Sequence, residues 1–151
     1  MTRDKFDQII DFAIEREKEA VKFYQELQEM ADFESKKDLF KDLEIMEQNH
    51  ITILEKIRKQ DIEGMKIPEM EDLKISDYLV EPPRSSDMTY QDVLILAMKK
   101  EEAAVKLYQN MAAKYAQGSK ERKLFDRLSF EESKHKKIFE DIYDREILTD
   151  N

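Results

Sequence analysis

The sequence predicts an all-α protein, a four-helix bundle made of two repeated antiparallel helical hairpins joined by a long crossover linker. Three observations lead there. The 151 residues include only two glycines and three prolines, 40% of them are charged, and no two-residue apolar alternation is sustained. Such a chain favours helix almost everywhere and strand almost nowhere. Four segments place apolar residues at steps of three and four, the spacing of one helix face. Pro68, Pro82 and Pro83 all fall between residues 61 and 88, which divides the four segments into two pairs.

The first stripe runs Phe6, Ile10, Ala13, Glu17, Ala20, Tyr24, Leu27, Ala31 and ends near a turn at Ala31-Asp32-Phe33-Glu34. The second runs Phe40, Leu43, Glu47, His50, Leu54, Ile57, and together they form a hairpin over residues 3–60. Residues 61–88 form the linker, long enough to run the length of a bundle, with one short turn around Ile75 to Leu79. Thr89 or Asp87 caps the third helix, whose stripe is Tyr90, Leu94, Ala97, Glu101, Ala104, Tyr108, Met111, Tyr115. A turn at Ala116-Gln117-Gly118-Ser119 follows, in which Gly118 ends one helix and Ser119 caps the next. The fourth stripe, Phe125, Leu128, Glu132, His135, Phe139, Ile142, completes a second hairpin over 89–148. The expected organisation is one domain over 1–151.

The hairpins are an internal repeat. Glu17 maps to Glu101 and Tyr24 to Tyr108 with a shift of 84, while Phe40, Glu47 and His50 map to Phe125, Glu132 and His135 with a shift of 85. The extra residue belongs in the turn. Glu-Ala-Val-Lys-Phe-Tyr at 19–24 recurs as Ala-Ala-Val-Lys-Leu-Tyr at 103–108, so approximate two-fold symmetry is expected.

Each stripe is interrupted by ionisable residues. Both histidines of the chain stand three residues after a glutamate, as Glu47-x-x-His50 and Glu132-x-x-His135, and Glu17 and Glu101 sit mid-stripe on the other two helices. A carboxylate or imidazole facing a core is costly to bury unless something binds it, and a divalent metal is the expected binder. One Glu-x-x-His in a charged helix is ordinarily a surface i, i+3 pair. Two copies in register on apolar stripes, with Glu17 and Glu101 at matching depth, point instead to a metal site. By position Glu47 and Glu132 would bridge two ions, Glu17 and Glu101 would bind one each terminally, and His50 and His135 would take one ion each. Oxygen-rich ligands with one imidazole per metal suit iron or manganese. Tyr24 and Tyr108, two turns beyond Glu17 and Glu101, are core aromatics placed to hydrogen-bond a ligand carboxylate.

Composition limits the alternatives. With no cysteine, disulfides, thiolate metal sites, iron–sulfur clusters and thiol nucleophiles are excluded. The net charge of −9, with Lys and Arg interleaved among Asp and Glu, argues against a nucleic-acid surface. No apolar run suits a signal peptide or membrane span, so a cytoplasmic protein is expected. Two divalent ions would balance the four core glutamates.

The pattern of one Glu from each of two helices and Glu-x-x-His from each of the other two is that of ferritin-like di-iron and di-manganese bundles. The chain further resembles the ferritin-like domain of the rubrerythrin family, whose first and third helices read Ala-x-x-x-Glu-x-x-Ala-x-x-Phe-Tyr. Here Ala13, Glu17, Ala20, Phe23 and Tyr24 match, as do Ala97, Glu101, Ala104 and Tyr108, with Leu107 in place of Phe. The resemblance covers nearly everything but the linker. It implies a ferritin-like fold, usually in a homodimer, with a non-haem di-iron centre held by Glu17, Glu47, His50, Glu101, Glu132 and His135 that reacts with hydrogen peroxide or dioxygen. Manganese or zinc are the other candidate metals. Two departures matter. Rubrerythrins proper carry a Cys₄ iron domain that supplies electrons, so an external electron donor is expected here. They also carry a further ligand carboxylate three residues past the first in the third helix, for which iron exchanges His during the redox cycle, and here that residue is Ala104. The functional expectation is a peroxidase- or ferroxidase-type oxidoreductase, with iron storage in a multimeric shell or a purely structural metal as the alternatives.

Overall fold

The computed structural model describes residues 2–59, 65–70, 72–81 and 84–148; Gln60 of the expected first hairpin and residues 61–64, Glu71, Pro82 and Pro83 of the expected linker lie outside the described residues. Four long helices follow one another: α1 (Thr2–Met30), α2 (Glu34–Arg58), α3 (Tyr90–Ala112) and α4 (Lys120–Tyr143). A 3₁₀ turn at Ile75–Tyr78 stands where the linker turn is expected, and a π-helical turn, Asp144–Leu148, prolongs α4. There is no strand among the described residues.

Local chemistry explains the helix ends. Thr89 rather than Asp87 caps α3: its hydroxyl accepts from the Asp92 backbone N–H at 3.1 Å, and the Asp92 carboxylate accepts from the Thr89 N–H at 3.1 Å, a complete capping box. Ser119 caps α4 by accepting from Arg122 N–H at 3.1 Å. Gly118 just before it has φ +83°, a left-handed conformation that glycine adopts without steric cost. The α1–α2 turn is shorter, Ala31 to Phe33, against Ala113 to Ser119 in the second hairpin. The repeat therefore changes register at the turns.

α1 packs along α2, α3 along α4, and α1 also meets α3. The apolar residues divide into two cores. Phe6, Ile10, Leu54, Ile57, Tyr108, Met111, Phe125 and Leu128 belong to one, whereas Tyr24, Leu27, Phe40, Leu43, Val93, Leu94, Phe139 and Ile142 belong to the other. The start of α1 thus shares a core with the end of α2, as an antiparallel hairpin requires. The linker joins the first core through Met70, Leu73 and Tyr78. Polar ties hold it there: Tyr115 Oη donates to Lys66 O at 2.9 Å, Lys66 N–H donates to Glu121 at 3.0 Å, and Asn110 Nδ2 donates to Tyr78 Oη at 2.7 Å. Phe23 is in the core, Ile138 packs partly against it, and Phe130 is 62% exposed.

This is the expected ferritin-like four-helix bundle. A Cβ added at Gly118 meets nothing within 4 Å, so Gly118→Ala tests backbone conformation alone. It should destabilise by about 1 kcal/mol. That corresponds to a melting temperature roughly 2–4 °C lower, read from a thermal melt by circular dichroism.

Candidate metal centre

Midway along each helix the apolar stripe gives way to ionisable side chains, and all four interruptions meet at one level. On α1, Glu17 follows Ile14 of one core and precedes Phe23 of the other; Glu101 on α3, Glu47 and His50 on α2, and Glu132 and His135 on α4 sit between the same two cores. None of the six is more than 3% exposed.

Two overlapping groups result. Glu17, Glu47, His50 and Glu132 form one and Glu47, Glu101, Glu132 and His135 the other, each residue offering a ligand atom within 4.8 Å of the rest. Glu47 and Glu132 belong to both groups. His50 Nδ1 lies 3.1 Å from Glu132, 3.5 Å from Glu17 and 3.6 Å from Glu47. His135 Nδ1 lies 2.7 Å from Glu47, 3.6 Å from Glu132 and 3.9 Å from Glu101. The two imidazoles are nearly parallel, at 16°, with centroids 6.4 Å apart.

Three outward-facing atoms of the cluster, one each on Glu17, Glu101 and His50, have partners. Tyr108 Oη donates to Glu17 at 2.6 Å and Tyr24 Oη donates to Glu101, so each tyrosine serves the glutamate of the opposite hairpin. His50 Nε2 faces Glu131 at 3.3 Å. By contrast, Glu17 Oε2, both oxygens of Glu47, His50 Nδ1, Glu101 Oε2, Glu132 Oε1 and His135 Nδ1 are buried without a well-aligned hydrogen bond, and they meet only one another, as in the close contacts of His135 Nδ1 with Glu47 and of His50 Nδ1 with Glu132. A buried polar atom left unsatisfied costs about 1–3 kcal/mol, and folded proteins rarely tolerate several together. Seven such atoms, all carboxylate oxygens or imidazole nitrogens converging on one centre, fit a pair of hard-to-borderline divalent cations.

Electrostatics agree with a site short of positive charge. Burial pushes Glu101 up to about 8, helped by the charge of Glu47, and burial together with Glu101 and Glu47 holds Glu132 well above the usual carboxylate range. Glu47 goes the other way, to about 2: burial would raise it, but the contacts to His135 and His50 outweigh that. His50 is raised, since Glu47 and Glu131 overcome the opposing effect of burial. Burial also raises Tyr24 and Tyr108 well above their ordinary value, which keeps both hydroxyls as donors.

On the α1–α3 side a cavity of about 30 Å³ touches Glu17, Glu101 and Glu132. Ala20 and Ala104 line it at equivalent repeat positions, and Tyr78 and Val80 of the linker border it together with Arg16 and Lys100. Both cations pair with Glu19, at 2.9 Å each. That volume holds about one or two water-sized molecules. The side chain missing at Ala104 is thus an opening beside the centre.

Fold and site together define a four-helix bundle carrying a buried carboxylate–histidine cluster able to hold metal. The chain belongs to the rubrerythrin family, whose model matches residues 2–83 and 92–150. Among solved structures it is similar to a hypothetical protein from Pyrococcus furiosus, at 22% identity and a TM-score of 0.70 over 92% of this chain and 88% of that one. That likeness is one of fold. No curated protein matches the chain.

All eight predicted site residues converge. Two others escape a reading of the sequence. Glu131 belongs to the polar face of α4 by periodicity yet is only 13% exposed in its side chain, because the α2–α4 interface closes over it. Arg16, which lies off the apolar stripe of α1, borders the cavity and lies over the Phe12 ring at 4.9 Å. The crossed tyrosine bonds were also hidden, since spacing along one helix cannot tell which hairpin's carboxylate a hydroxyl reaches.

A pH dependence follows for the metal-free protein. Glu101, Glu132 and His50 have raised folded-state pKa values, so the native state holds more protons than the unfolded one above their ordinary pKa values of about 4.5 and 6.5, and stability falls as pH rises towards 8. The stabilisation from Glu47 is already complete above about pH 4.5 and is lost only in stronger acid. Apo protein should melt higher at pH 5.5 than at pH 7.5, by on the order of 5 °C or more given ~1.4 kcal/mol per pKa unit. Thermal melts at the two pH values check this, and divalent metal should abolish most of the difference by replacing protons as counter-charge.

Proposed function

We propose that the protein is a non-haem di-iron oxidoreductase that reduces hydrogen peroxide or dioxygen. The observation that supports it most is the set of seven buried carboxylate oxygens and imidazole nitrogens that converge on one centre without a well-aligned hydrogen bond. In this reading Glu47 and Glu132, common to both groups, would be shared between two ions, with Glu17 and His50 holding one and Glu101 and His135 the other. Two ferrous ions held there would supply two electrons, which with two protons from solvent reduce hydrogen peroxide to two waters, or dioxygen to hydrogen peroxide, and an external reductant would restore them. No cysteine occurs in the 151 residues, so within them no thiolate-bound iron can act as relay.

The chain's own groups have definable tasks. Tyr24 and Tyr108 hold Glu101 and Glu17 by one oxygen each, which fixes both carboxylates in place and would leave the other oxygen of each for metal. The cavity beside Ala104 admits an oxidant of two heavy atoms and little more. Arg16 and Lys100 keep positive charge at its border. With Ala104 offering no carboxylate, both histidines are expected to stay bound in oxidised and reduced states.

Anaerobic titration of the apo protein with Fe(II) should reach about two ions per chain. His50→Ala and His135→Ala should each weaken one of them about 10–100-fold, whereas Glu47→Ala should weaken both. Peroxide should then oxidise the loaded protein in a stopped-flow mixing experiment. Failure to take up iron would refute the centre, and uptake without reaction with peroxide or dioxygen would refute the oxidoreductase. Ala104→Leu, which fills the cavity, should slow the oxidation at least several-fold while leaving iron uptake unchanged.

A further inference from the structure

The repeat that builds the centre fails at one position beside it. Position 131, next to the bridging Glu132, corresponds at the shift of 85 to position 46, next to Glu47; the first is glutamate and the second methionine. The consequence falls on the histidines. His50 Nδ1 faces the centre while its Nε2 meets Glu131 Oε2 at 3.3 Å, across the α2–α4 interface. The other oxygen of Glu131 accepts from Arg127 Nε at 3.3 Å. His135 also turns Nδ1 inward, but among the described residues its Nε2 has no such carboxylate. Met46 has only a thioether, a weak acceptor. The aromatic neighbour differs as well: Tyr24 stands edge-on to His135 with centroids 6.3 Å apart.

We propose that Glu131 is a positioning residue that makes the two metal positions unequal, with the His50 side filled first and more tightly. A carboxylate accepting Nε2–H fixes the imidazole tautomer with a bare Nδ1 lone pair, orients the ring, and makes that nitrogen a stronger donor to metal. Loss of such a partner ordinarily costs about 10–100-fold in metal affinity. His135, without one, must select its tautomer and orientation when metal arrives. The inference rests on the two-metal reading and adds an order of filling to it.

Anaerobic Co(II) titration of the apo protein, followed by visible absorption and calorimetry, tests it. The native protein should show two binding events about 10–100-fold apart in affinity. Glu131→Met, which gives position 131 the residue found at position 46, should weaken the tighter event by that factor and leave the other in place. Glu131→Gln, whose amide oxygen still accepts from Nε2–H, should restore part of the loss. Met46→Glu should tighten the weaker event, and it decides the matter if Glu131→Met fails to fold. Two indistinguishable events in the native protein, or variants at 131 and 46 that leave both affinities unchanged, would overturn the proposal. Native protein that binds no Co(II) would instead overturn the metal centre itself.

Discussion

A layer of six buried ionisable groups between two apolar cores is the constraint on which the rest of the structure depends. Four carboxylates withdrawn from water repel one another and lose hydration, and two imidazoles cannot neutralise all of them. The helices must therefore be held together by what lies above and below. Aromatic and aliphatic side chains fill both cores, among them Phe6, Phe40, Phe125 and Phe139, each essentially fully buried. Each such side chain contributes about 1.5–3 kcal/mol, and two cores of this kind can carry one unfavourable layer. The price of that layer is what a pair of cations would relieve.

The layer also has two unlike sides. Towards α2 and α4 it is closed by the histidines and by Glu131, which ties the two helices across their interface. Towards α1 and α3 it meets the small side chains of Ala20 and Ala104 and the crossed tyrosines, and there a small cavity remains. The linker borders that cavity through Tyr78 and Val80. The layer is thus enclosed on one side and bordered by a small cavity on the other.

Much of this was legible in the residues, for a physical reason. Helical periodicity assigns every stripe residue to the inside, and a glutamate or histidine within such a stripe is conspicuous because its burial is costly. The repeat supplied the pairing of Glu17 with Glu101 and of His50 with His135. What periodicity cannot supply is contact between helices. Glu131 lies one position off the stripe and becomes enclosed only when α2 and α4 pack, and Tyr24 reaches Glu101 rather than Glu17 only because α1 and α3 face each other. The linker's docking through Lys66, Tyr78 and Tyr115 likewise comes from single hydrogen bonds with no sequence period behind them.

The central claim is that Glu17, Glu47, His50, Glu101, Glu132 and His135 together hold two metal ions. Anomalous diffraction at the iron absorption edge, from crystals grown with Fe(II) under anaerobic conditions, tests it most directly. Two peaks should appear within the layer, one bonded to His50 Nδ1 and one to His135 Nδ1, with the carboxylates of Glu47 and Glu132 between them. A single peak, peaks only at surface carboxylates, or an iron-free layer in which the six side chains keep the same positions would contradict it.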